Sequence, residues 1–307
     1  MCFRTYESNL ATLTTSWFPR YFARDAYDAS TRIQAALEKW YEARRDEADD
    51  VSAIVKTRAG IYRNYGFTNT EIAEMELGLL HVSTSNTIPA AFWFLSNVVS
   101  RNELLEEIRE QLEDIVQKNE EGTILRLERL EESCPLLVSC WNEALRISIH
   151  AGHFRRVLND TTISDGQGTS FLLKKGTDVL MSSDCSHSVE SVWGLKPSSF
   201  DPEHFSASTH GTKTRKSAFH PFGGGKHLCP GRNYAYTEIL GFVAGLILTY
   251  NVEPATGAGV WKLPEMENAM FFEAAAKPVD HGNEFSVVFT KRQPWEKAKL
   301  VLKDKYH

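Results

Sequence analysis

Apolar residues recur at helical spacing through most of this chain, and the runs that break the rhythm are short. From Ala23 to Asp50, Tyr27, Ile33, Leu37 and Trp40 fall on one side and charges on the other, which predicts an amphipathic helix. Thr70 to Ser100 predicts a longer one. Thr68 and Glu71 have the spacing of a capping box at its start. No Asp, Glu, Lys or Arg occurs from Leu77 to Ser100. That length would span a membrane, but the polar stretch His81 to Thr87, with Pro89 just after, is expensive in lipid. A helix buried through a soluble domain is the expectation. Arg101 to Glu121 is strongly charged, with Leu104, Ile108, Leu112 and Ile115 at helical spacing, and predicts a surface helix stopped by Gly122.

Further along, Pro135 suits the first turn of a helix carrying Leu136, Leu137, Val138, Trp141, Leu145 and Ile147. Two β-like runs, Ser170–Leu173 and Asp178–Met181, are separated by Lys174-Lys175-Gly176 and predict a hairpin. Arg232 to Tyr250 predicts a last long helix with Ile239, Leu240, Phe242, Val243, Leu246 and Ile247. A second pair of β-like runs falls between Phe271 and Thr290. No internal repeat or low-complexity linker interrupts the chain. The expected organisation is one domain over residues 1–307, mainly α with small β-sheets.

Composition narrows the function. Hydrophobic content of 42% and charged content of 24% are those of a soluble globule. A net charge of −6 does not indicate nucleic-acid binding. The five cysteines (Cys2, Cys134, Cys140, Cys185, Cys229) form no CxxC pair and no disulfide framework, which points to a reducing compartment. His204, His210, His220 and His227 crowd near Cys229 without zinc-site spacing. The N-terminus carries no signal peptide and no apolar anchor of the required length.

Chemistry concentrates in Phe222-Gly223-Gly224-Gly225-Lys226-His227-Leu228-Cys229-Pro230-Gly231. Glycines let backbone approach a ligand where a Cβ would clash. The helix predicted from Arg232 would point its N-terminus at the sulfur, and amides there stabilise a thiolate. A second feature is Glu143-x-x-Arg146, a charged pair at i, i+3 on an otherwise apolar helix. Such a pair has to be buried and mutually satisfied, as a structural lock is. No acid occurs between Glu203 and Glu238, while the same span holds Lys213, Arg215, Lys216, Lys226 and Arg232. A basic patch on an acidic chain suits an acidic partner.

The glycine-rich loop resembles the heme-binding signature of the cytochrome P450 family, Phe-x-x-Gly-x-(Arg/His)-x-Cys-x-Gly. Phe222, Gly225, His227, Cys229 and Gly231 fill every fixed position. The resemblance implies an N-terminally truncated P450-like fold, lacking roughly the first third, with heme as cofactor and Cys229 as its axial iron ligand. Arg155, aligned on Arg-x-Val through Asp160, and His227 take the places of residues that pair with heme propionates. In the family the Glu-x-x-Arg pair meets an arginine from a Pro-Glu-Arg-Phe segment. Here Phe200-Asp201-Pro202-Glu203-His204-Phe205 puts His204 there, a shorter side chain that is mostly neutral at pH 7. The central helix matches the family's distal motif at Thr87, with Asn86 where an acid is usual. Asn86 to Trp93 looks most like the branch of sterol 7-alpha-hydroxylases and prostacyclin synthases.

By this resemblance the chain is expected to be a heme-thiolate monooxygenase. It would insert one oxygen atom into an apolar substrate, a sterol, terpenoid or other lipid-like compound. NADPH electrons would arrive through a flavin- or iron–sulfur-containing reductase. A full-length form would lie on the cytosolic face of the endoplasmic reticulum, attached through its missing N-terminal part, whereas the chain as given would be soluble and cytoplasmic. Two alternatives stay open: a heme-thiolate isomerase or dehydratase acting on a peroxide, and an inactive fragment that does not bind heme.

Overall fold

A computed structural model describes residues 2–119, 122–206, 213–255, 260–267, 274–279, 285–295 and 300–303. The chain divides into two compact units, Met1–Asn86 and Thr87–His307. In the first unit the principal helices are α1 (Cys2–Glu7), α2 (Arg24–Glu42), α3 (Ala53–Asn64) and α4 (Asn69–Thr84). α4 runs against α2, and α1 also lies on α2. Ala29 is fully buried where Tyr6 and Leu77 meet, and Ile33 and Leu37 pack there as their spacing predicts. The Thr68–Glu71 capping box is present in full. Arg63 reaches buried Asp46 at 2.6 and 3.0 Å, and Arg58 pairs with Glu76 at 2.8 Å.

The second unit is built on α5 (Thr87–Val99), α6 (Asn102–Ile115), α7 (Pro135–Ser148) and α8 (Arg232–Thr249). α7 and α8 both pack on α5. Phe94, Val98, Ile108, Leu112, Leu137, Ala144, Leu240, Val243 and Ile247 form the centre of the core. Arg109 closes the end of α8, donating to the carbonyls of Ile247 (3.0 Å) and Tyr250 (2.8 Å), which have no partner within the helix. A Cβ on Gly241 would lie 3.1 Å from Leu127, so glycine lets that segment approach α8.

Among the described residues, four small sheets flank the helices. β1 (Val116–Asn119) pairs antiparallel with β2 (Gly122–Arg126), which pairs in parallel with β9 (Leu300–Lys303). β3 (Gly152–Arg156) pairs with β6 (Asp178–Ser182), placing Arg155 opposite Val179. β4 (Thr161–Ser164) pairs with β5 (Ser170–Leu173), and β7 (Tyr250–Pro254) with β8 (Val287–Lys291).

Three expectations need correction. The helix expected over Thr70–Ser100 is two helices, broken at Ser85–Asn86. Ser83 and Thr84 hydroxyls bond back to the Leu80 carbonyl, and Pro89 has no N–H for the carbonyl four residues before it. The charged helix from Arg101 ends at Ile115, and Val116–Asn119 turns into a strand, because its partner β2 lies just beyond. Finally, Ser170–Leu173 and Asp178–Met181 are strands but not a hairpin. Each finds its partner upstream, β4 and β3 respectively. The expected runs near Phe271 lie outside the described residues, apart from the final one, which forms β8. No helix among the described residues is long and apolar enough to cross a membrane.

Candidate functional site

The Cys229 loop is tightened by its own backbone. Gly223 and Gly225 take positive φ (77° and 63°), a region side chains disfavour. The Cys229 N–H donates to the Phe222 carbonyl at 3.0 Å, and Leu228 N–H to that of Gly225 at 3.3 Å. α8 begins three residues after the sulfur, with no acid in its first turn. A Cβ on Gly231 would sit 3.9 Å from Cys229 Sγ. Cys229 is a half-buried free thiol.

β3 brings Arg155 to this loop. Its Nη2 donates to the Gly224 carbonyl at 3.1 Å and its Nη1 to that of Phe154 at 2.7 Å. His227 is exposed in the turn Gly225–His227. Phe222 packs on the core edge.

The charged pair on α7 is fully buried. Arg146 grips Glu143 with two bonds of 2.7 Å, and also donates to the carbonyls of His187 (2.7 Å) and Ser199 (3.2 Å). Its guanidinium lies 5.0 Å from the Trp193 ring centre. Glu143 Oε1 accepts further from the Asp201 N–H at 2.9 Å and faces His204 Nδ1 at 3.2 Å. The shorter His204 therefore does reach the carboxylate, because the turn Pro202–Phe205 lies directly on α7.

Thr87 opens α5 and Asn86 closes the preceding turn, both half-buried. They belong to different compact units. The basic patch is smaller than its sequence count. Arg215 folds inward, donating to the carbonyls of Val192 and His204 at 3.2 Å each, and Arg232 donates to the Cys229 carbonyl at 3.1 Å. Lys216 and Lys226 are exposed, and the Lys213 side chain lies outside the described residues.

Sequence reading placed His220 near Cys229 but missed the two histidines, His153 and His187, that pack with it. His153, His187 and His220 pack together, with ring centres 5.8 Å (His153–His220) and 5.5 Å (His187–His220) apart. His153 Nε2 meets Ser183 Oγ at 2.9 Å, and His220 Nε2 meets Ser186 Oγ at 3.0 Å. Only their distribution over three separate segments explains the omission. Of the four histidines expected near Cys229, His210 lies outside the described residues. Burial, then His220 and Arg146, push the His187 imidazole down from 6.5 to about 3. The folded chain thus holds it neutral, while the unfolded chain takes up a proton below its ordinary value. Stability present at pH 7 is lost as pH falls toward about 3. Between pH 7 and pH 5 this contributes a loss on the order of 2 kcal/mol. Denaturant titrations at the two pH values should show it, and His187→Gln, which keeps a neutral acceptor for the His220 N–H, should show less.

These residues fit a heme. A cysteine sulfur stands just before a helix N-terminus, in a loop whose Gly223 and Gly225 take positive φ, with His227 on that loop and Arg155 of β3 bonded to it. The fold and the loop together define a helix-rich heme-thiolate protein. The family profile described as "Cytochrome P450" matches residues 4–277, and the chain belongs to that family. It is 38% identical over 299 residues to a "Cytochrome P450 monooxygenase" of Gibberella zeae, covering 96% of this chain and 57% of the relative. It is 30% identical over 215 residues to the "25-hydroxycholesterol 7-alpha-hydroxylase" of Rattus norvegicus, covering 66% of this chain and 51% of the relative. A retinoic acid-bound cyanobacterial CYP120A1 shares the fold, with a TM-score of 0.70, 23% identity and coverage of 95% of this chain and 62% of that one. The chain thus spans between half and two thirds of the length of these relatives.

Proposed function

We propose that the protein is a monooxygenase that inserts one atom of dioxygen into a C–H or C=C bond of an apolar substrate. The observation that carries this reading is Cys229, held in a glycine loop at the start of α8 with Arg155 bonded to the same loop. When bound, the heme supplies oxygen activation, helped by electron donation from the Cys229 thiolate. Phe222, Gly225 and Gly231 shape the seat, and Arg155 and His227 meet the heme carboxylates. Glu143, Arg146 and His204 fix the turn of Pro202–Phe205 against α7 and are structural. Thr87 offers a hydroxyl that donates a hydrogen bond and passes a proton on the substrate side. Asn86 orients water there but does not titrate.

A sterol, terpenoid or other lipid-like substrate is favoured by the Asn86–Trp93 pattern and by the name of the rat relative. Electrons come from NADPH through an acidic flavoprotein reductase, for which exposed Lys216 and Lys226 offer contacts. Residues 1–307 act as one functional domain, and the protein works on the cytosolic face of the endoplasmic reticulum. The second reading, an isomerase or dehydratase of a peroxide, rests on Asn86 replacing the usual acid.

With a reductase and the complete protein, Thr87→Ala should raise hydrogen peroxide and lower product per NADPH severalfold. A wild-type protein that rearranges a fatty-acid peroxide without reductase or dioxygen would establish the second reading. Failure of the complete protein to take up hemin would sink both.

A further inference from the structure

Arg101 stands between α5 and α6 and is partly buried. Its Nη1 donates to the Asn97 carbonyl at 2.6 Å, to Asn97 Oδ1 at 3.0 Å and to Ser100 Oγ at 3.2 Å. Its guanidinium carbon lies 4.7 Å from the centre of the Phe200 ring. All of these partners are neutral. Arg58, Arg63, Arg109 and Arg146, also withdrawn from solvent, each have a carboxylate partner. Among the described residues none pairs with Arg101. Burial holds its guanidinium below the usual arginine range, yet it stays charged at neutral pH. Its Nε and Nη2 make no hydrogen bond among the described residues, and neither atom is closed off from solvent. Those two nitrogens form the edge of an arginine that takes a carboxylate with two parallel bonds.

Arg101 lines a cleft of about 640 Å³, within the range of small-ligand sites. Val252 and Pro254 of β7, with Trp261, give the cleft apolar walls. Glu103 and Glu253 line it as well; both are exposed and neither pairs with Arg101. None of the described lining residues belongs to the Cys229 loop, to α7 or to α8, so the cleft is separate from the cofactor seat. A positive charge drawn partly out of water without a counter-charge favours an anion. Two acids on the same cleft oppose a second negative charge, so a monoanion fits better than a phosphate dianion. A flat ring covers the Trp261 indole best. We propose that this cleft binds a small aromatic monocarboxylate, its carboxylate held side-on by Arg101 and its ring laid against Trp261. The site goes beyond the oxygenase reading and does not depend on heme.

The probe is 2-naphthoate, titrated calorimetrically into the full chain with and without hemin. One site that depends on Arg101 is expected in both states. Arg101→Gln should weaken binding about tenfold or more, and Arg101→Lys, which keeps the charge but not the paired bonds, should weaken it severalfold. Trp261→Leu should also weaken it severalfold. 2-Naphthamide, the neutral analogue, should bind about tenfold more weakly, and 2-naphthyl phosphate severalfold more weakly. Arg101→Gln strands no carboxylate, so it should melt like the wild type; if it does not, Trp261→Leu and the amide comparison carry the test. Equal affinity for 2-naphthamide, tighter binding of the phosphate, insensitivity of a folded Arg101→Gln protein, or displacement of the probe by hemin would each overturn the proposal.

Discussion

Cys229→Ser is expected to abolish the strongly red-shifted Soret band that the reduced, carbon monoxide-treated, hemin-loaded protein should show. That band would report ligation of the heme by a thiolate, and a serine oxygen would not give it. Of the five cysteines, Cys134 and Cys140 are deeply buried. Burial pushes the Cys134 thiol up to about 12 and raises the Cys140 thiol as well, so both are held protonated. Cys185 is exposed, at the start of a short helix far along the chain from any glycine loop. Only Cys229 joins half-exposure to a helix N-terminus and neighbouring glycines. The loop should survive the exchange, since its turn is closed by backbone bonds from Cys229 N–H and Leu228 N–H. Circular dichroism should therefore be unchanged. A serine variant that keeps the band would place the ligand elsewhere.

Glu143→Ala should cost about 3–5 kcal/mol, because it leaves Arg146 charged and buried without its carboxylate. For a unit of this size that lowers the melting midpoint by roughly 10 °C. The damage should extend beyond the pair. Glu143 also accepts from the Asp201 N–H and faces His204, so the turn Pro202–Phe205 loses its anchor on α7. Hemin retention should fall with stability. Replacing both partners, Glu143→Leu with Arg146→Met, removes the stranded charge and should recover part of the loss. A Glu143→Ala protein that melts normally, holds hemin and loses only turnover would show that the pair acts in the chemistry instead. His204→Arg is a useful companion, since it restores the longer side chain of the family pattern at a position already touching the carboxylate.

Much of this was legible in the residue order, and the legible part is local. The capping box at Thr68 and Glu71, Pro135 at the head of α7, and the positive-φ glycines before Cys229 depend on neighbours within a few residues. Backbone sterics and helical periodicity settle such features before any tertiary contact forms. Glu143 and Arg146 belong here too, since i, i+3 spacing on an apolar helix leaves them little choice but to pair.

Residue order alone thus specifies the cap of α4, the head of α7 and the glycine turn before Cys229, but not the break at Ser85–Asn86. Folding in three dimensions chooses who meets whom across long separations. β5 and β6 carry strand-forming residues, but nothing local says that their partners are β4 and β3 rather than each other. Arg215 counts as a surface cation in any tally of charge, yet carbonyls of Val192 and His204 draw it inward. His153, His187 and His220 come together only when β3 and two later segments fold around the loop. Pairing of backbone groups and burial of charge are satisfied by whatever the fold brings near, so these choices are fixed by packing and not by sequence spacing.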